Sequence, residues 1–246
     1  MTALTLTLVI AFVGGVYCRG WLLHHLIAPW RVCSFFLGLL GTWVAVVSPV
    51  ASLDSHRLTA HMIQHLLLMT IAPPLIWLGQ PLIAVAPFQG SFPSRPGRLL
   101  GHPAFCWLAA AAALVVWHVP KIFELGIQSS VWHFIEHASF LAAGLLFWWP
   151  VIQPWPSVAQ WPRWSMLLYL FLATLPCDVL SGLLVFGDRV VYPMYLSMPQ
   201  MGGLSPLEDQ QCAAALMWTC VTLVFLVAGT VLAMQILSPA TEEISL

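Results

Sequence analysis

Seven long apolar runs follow one another along this chain, at residues 2–17, 32–52, 61–87, 104–119, 131–152, 164–186 and 212–237. A helix needs about 20 mostly apolar residues to cross the hydrocarbon core of a bilayer, so these runs are the right size for spans. Charged residues make up only 7% of the 246 positions, against about 25% in soluble domains. A water-soluble fold is therefore excluded. The expected fold class is all-α: a polytopic membrane protein, a bundle of about seven transmembrane helices, with residues 1–246 forming one transmembrane helical domain. The stretch from Met1 to Cys18 lacks a positively charged leader and a clear cleavage site, and is read as the first span rather than a signal peptide. A net charge of -1 without a basic cluster rules out nucleic acid as a partner and leaves membrane lipids as the surroundings. The six cysteines form no CxxC pair and read as small buried hydrophobes.

Orientation follows from the positive residues of alternate loops, which are retained on the cytoplasmic side. One set of loops holds Arg19, Arg31, Arg95, Arg98 and Arg163, and the other holds Arg57, Lys121 and Arg189. This places the N-terminus outside and the C-terminus, with Glu242 and Glu243, in the cytoplasm. The third span contains Pro73 and Pro74, which remove backbone donors and predict a kink or break. Carbonyls freed inside a bilayer need partners from neighbouring helices or a polar cavity.

The polar residues of the spans are concentrated at one level. His61 and His65 are four residues apart at the start of the third span, and His133 and His137 repeat that spacing at the start of the fifth. Four-residue spacing stacks two imidazoles on one helix face and lets both point at one ion. His118 ends the fourth span, so all five imidazoles fall at the outer ends of three helices. A single such histidine reads as a cap or an interfacial group. Five at one depth point to a metal or cofactor site, because ionisable groups within spans are costly and usually have partners or a function. Glu136, Asp178, Asp209 and Gln210 approach the same level and are candidates to accept the second imidazole N–H and fix ring direction. Met69, and Met194, Met198 and Met201 in the outer loop, are possible soft copper ligands. Thioethers suit Cu(I), whereas zinc takes imidazole, thiolate or carboxylate, so copper is favoured with zinc as the alternative.

Four segments carry a resemblance: HMIQHLLLMTIAPPL from His61, WHVP from Trp117, HFIEHASFLAAGLLFWWPV from His133 and SPLEDQQCAAALMW from Ser205. Together they resemble the multi-span cytochrome c oxidase assembly factors called CtaG, over most of the chain from about Arg31 to the seventh span. The single-span copper protein of the same name is a different molecule. The resemblance implies a role in maturation of bacterial haem-copper oxidases in the cytoplasmic (inner) membrane. It also implies a role in supplying or inserting copper, which the loop charges place on the outer, periplasmic side, with the nascent catalytic subunit as partner. The family's histidine positions fall on His61, His65, His118, His133 and His137, and its acid-glutamine element on Asp209 and Gln210. The methionine-bearing outer loop aligns to no family motif. The expected function is thus oxidase assembly and not catalysis. Two other readings stay open on the residues alone: a membrane zinc hydrolase with Glu136 or Asp178 as base, and a cytochrome with axial histidines.

Overall fold

The structure, a computed structural model, describes residues 3–24, 27–48, 53, 56–85, 101–154, 161–197 and 203–238. The elements in chain order are α1 (Ala3–His24), α2 (Pro29–Val46), α3 (Leu58–Leu78), α4 (Pro81–Val85), α5 (Pro103–Trp117), α6 (Pro120–Gln128), α7 (Ser130–Ile152), α8 (Arg163–Val185) and α9 (Pro206–Leu237), with a 3-10 turn at Pro193–Leu196. No strand occurs among the described residues. Among the described residues six helices are long and apolar enough to cross a membrane, and α5 and α6, bent by 78° between them, pass the same test only as a pair. Leucine, valine and phenylalanine side chains such as Phe12, Leu108, Phe171, Leu183 and Leu226 point outward, the surface a lipid-embedded bundle requires.

The fourth apolar run is therefore not a straight span. At 15 residues, α5 is about 22 Å long and falls short of a core of about 30 Å. Pro120 opens α6 and forces the preceding Val119 into extended backbone, with φ −66° and ψ 123°. The chain turns there, and α6 lies across the end of the bundle.

Five helices, α3, α7, α5, α8 and α9, close into a ring in that order, while α2 packs on the outer side of α3 and α1 packs on α2 and α4. Helix α3 is central, and its two prolines are absorbed without a break. Residues Leu67–Ile71 form a π-helical turn, closed by Ala72 N–H donating to the Leu67 carbonyl. Pro73 has no N–H for the Met69 carbonyl, and the Trp148 indole of α7 donates to it instead at 3.3 Å. That contact needs close helices. A Cβ on Gly144 would lie 2.7 Å from the Met69 carbonyl oxygen, so only glycine fits there. The last carbonyls of α3 are met by side chains of α1 and α2: Ser34 Oγ donates to Leu75 O at 2.9 Å, Arg31 to Leu78 O at 3.1 Å, and Tyr17 to Gly79 O at 2.8 Å. The expectation of partners for the freed backbone is met by neighbouring helices. The third run, expected to reach residue 87, ends as a continuous helix at Leu78. All six cysteines are free, and only Cys106 and Cys177 are buried.

Candidate functional site

The site begins with how α3 starts. Arg57 provides no side-chain cap, so the first N–H groups of the helix need an acceptor from elsewhere. Asp209 of α9 supplies it, accepting from Leu58 N at 2.7 Å and from Thr59 Oγ1 at 2.6 Å. Helix α9 holds its own start by a capping box, in which Ser205 Oγ accepts from Glu208 N and Glu208 Oε2 accepts from Ser205 N. The next residue, Gln210, is buried and clasps the segment after α8. Its Oε1 accepts from Val191 N at 2.7 Å, and its Nε2 donates to Leu184 O and Arg189 O. From that segment Tyr192 donates to the His118 carbonyl at 3.1 Å. Among the described residues neither Asp209 nor Gln210 bonds to an imidazole, contrary to their expected place beside the rings. Together they fix the ends of the helices that carry the rings.

The structure brings the five histidines together at that end of the bundle. Ring centroids are 4.2 Å apart for His61 and His65 and 4.1 Å for His133 and His137, the two i, i+4 pairs. Across helices, His61 and His133 are 6.2 Å apart, His65 and His137 6.2 Å, and His65 and His118 5.9 Å. The centre of the group is an acid. Glu136 is fully buried on the face of α7 shared with His133 and His137, and its Oε1 lies 3.3 Å from both His61 Nε2 and His65 Nε2. Ligand atoms of His61, His65 and Glu136 all lie within 4.8 Å of one another. The two 3.3 Å separations match the edge of a tetrahedron with metal–nitrogen bonds of about 2.0–2.1 Å, also about 3.3 Å. These three residues could hold a metal ion, with His137, His118 and His133 around them.

Two further features shape the group. Gly126 of α6 packs on the carboxylate, and a Cβ there would stand 2.6 Å from Glu136 Oε2. His118 ends α5, and its Nδ1 must donate to the Leu114 carbonyl at 2.7 Å, since a carbonyl only accepts. The lone pair is then on Nε2, which is buried with no hydrogen-bond partner among the described residues. The same is true of His61 Nδ1, His65 Nδ1 and His137 Nε2. Buried polar atoms ordinarily have partners, so such a concentration marks a place built for something besides packing.

Sequence reasoning missed Gln64, Gly126 and Phe123. Gln64 is wholly buried between the two histidines of α3, and neither amide atom has a hydrogen-bond partner among the described residues. Its signal was a polar residue inside an apolar span. The Phe123 ring of α6 packs 4.7 Å from His61. Asp178, a candidate acceptor for an imidazole N–H, is half-buried on α8 beside Cys177 and makes no hydrogen bond to an imidazole among the described residues. Met194 packs at the margin of an apolar core around Tyr192 and Tyr195. Met198 and Met201 lie outside the described residues.

An all-helical multi-pass membrane protein with an acid-centred imidazole cluster at one end of its bundle is the class these features define. Comparison with known families makes this specific: the chain belongs to the cytochrome c oxidase caa3 assembly factor (CtaG) family, whose model matches residues 15–238. The resemblance carried by the motifs is thereby borne out. The chain is also similar to an uncharacterized protein of Mycobacterium bovis, 23% identical over 207 residues, which are 77% of this chain and 31% of that protein. An uncharacterized protein of Mycobacterium tuberculosis matches equally. The chain thus spans about a third of the length of these curated relatives. No solved structure matches it at a significant level.

Proposed function

We propose that this protein serves the assembly of a haem-copper cytochrome c oxidase in the bacterial inner membrane, holding or relaying copper as cargo. Its contact is with the nascent catalytic subunit. The role is non-enzymatic, as the family implies, and residues 1–246 act as one membrane domain. The observation that carries the reading is the convergence of His61 and His65 on one oxygen of Glu136. Imidazole nitrogens around one anionic oxygen, shielded from water, are a donor set for a divalent transition metal. The carboxylate offsets the charge of the ion, which a dry site requires. His118, His133 and His137 supply further nitrogens for a second coordination position or for release. The loops richer in arginine put the cluster on the outer side, with the N-terminus outside and the C-terminus cytoplasmic. For the hydrolase reading, Glu136, one of its two candidate bases, is shared between two imidazoles, and the other, Asp178, makes no hydrogen bond to an imidazole among the described residues.

The test is elemental analysis of protein purified without added metal. Copper is expected in the wild type and a reduced copper content in His61→Ala/His137→Ala. Glu136→Gln keeps the shape of the side chain and is expected to lower affinity by about 10–100-fold, the usual cost of disturbing a group at a metal site. Full copper in the double variant, zinc alone, or an intense haem absorption band would each sink the reading.

A further inference from the structure

Below the imidazoles, on the axis of the five-helix ring, lies a cavity of about 60 Å³. His65 and His118 stand at its polar end, and Met62, Met69, Cys177 and Met217 line its walls from α3, α8 and α9. Four sulfurs around so small a space exceed what filler requires, and they adjoin a buried nitrogen that has a lone pair to give. His118 Nε2 has no hydrogen-bond partner among the described residues, and the bond from Nδ1 to Leu114 O fixes its tautomer. A second buried ring atom, His65 Nδ1, is likewise without one.

Donor chemistry divides the two compartments. The group around Glu136 offers an anionic oxygen and imidazoles, which suit a divalent ion. The cavity offers neutral thioethers, one thiol and one imidazole, which suit a soft ion of single charge. Burying a charge in an apolar interior is penalised by the square of that charge in the Born picture. A monovalent ion is therefore the one such a cavity can accept without a carboxylate.

We infer that this cavity is a second metal station, taking a soft monovalent ion, Cu(I) in the cell or Ag(I) as a redox-inert probe, between the sulfurs of Met69, Met217 and Cys177 and Nε2 of His118. This rests on the reading of the imidazole cluster as a copper site and adds a neighbouring position of different hardness.

The test is anaerobic Cu(I) titration of the full chain in detergent against a chromogenic Cu(I) chelator, with Zn(II) titrated in parallel. Met69→Leu/Met217→Leu conserves volume and removes the thioethers. It is expected to weaken Cu(I) at least tenfold while Zn(II) affinity stays as in the wild type. Unchanged Cu(I) affinity in that variant overturns the inference. Loss of Cu(I) only in His61→Ala/His137→Ala overturns it too, and leaves the imidazole reading standing. Loss only in the methionine variant does the reverse. Should the methionine variant fail to fold, X-ray absorption at the metal edge of Ag(I)-loaded wild type decides. Sulfur neighbours support the second station, and nitrogen or oxygen neighbours alone remove it.

Discussion

Gly126 shows how a residue without a side chain governs one with a charge. Its missing Cβ leaves the space that Glu136 Oε2 occupies, so Gly126→Ala must push the carboxylate or tilt α6. Overpacking of this kind costs about 1–3 kcal/mol. The expected outcome is a folded protein, by circular dichroism, whose metal affinity has fallen as far as in Glu136→Gln; unchanged affinity would show that the carboxylate does not depend on this contact. The imidazoles make a second prediction. Only neutral rings bind metal, so protons compete with the ion. Bound copper is expected to fall as pH is lowered, followed by equilibrium dialysis, and occupancy independent of pH would count against imidazole ligands. The candidate ring positions were legible because i, i+4 spacing stands out in an apolar run. Their convergence on Glu136 was not, because the acid lies 75 residues from His61, and nothing local pairs them.

Among elements, α3 owes its geometry to its neighbours. Its first turn is capped by Asp209 of α9, 151 residues away, and its last carbonyls are bonded by α1 and α2. Asp209→Ala is expected to destabilise the protein by about 1 kcal/mol, the usual loss for a helix cap. It should lower the thermal midpoint without changing helix content, as a melt monitored by size exclusion will show. An unshifted midpoint would mean that water replaces the cap. In sequence, Asp209 read as a group beside the imidazoles, because a cap on a foreign helix leaves no local signature. The apolar runs displayed the spans themselves. The bend at Pro120 was less visible: apolar content tells that residues 104–119 belong in lipid, but not that the helix stops short of crossing it.

Across the described residues the buried imidazoles gather at one end of the bundle, and many leucine, valine and phenylalanine side chains face outward. This asymmetry makes sidedness testable. A cysteine placed at Ser129, between α6 and α7, in a chain whose other cysteines are replaced, is expected to react with a membrane-impermeant maleimide in intact cells. Reaction only after lysis would invert the proposed orientation and move copper handling to the cytoplasmic face. The arrangement of the methionines was beyond sequence reading, since Met62, Met69 and Met217 share one cavity only after α3 and α9 have packed.

Helix α6 has nine residues, joined to α5 by a sharp bend and to α7 through Ser129 alone, and it covers a carboxylate with no exposed surface. Tethered closely at both ends, it acts as a roof over that carboxylate. For the ion proposed to sit there, residence time becomes a property of how far this short segment can tip, separable from how tightly the donors hold. The proposed role in copper delivery, which needs the ion kept from scavengers and released to one recipient, gains from such a separation.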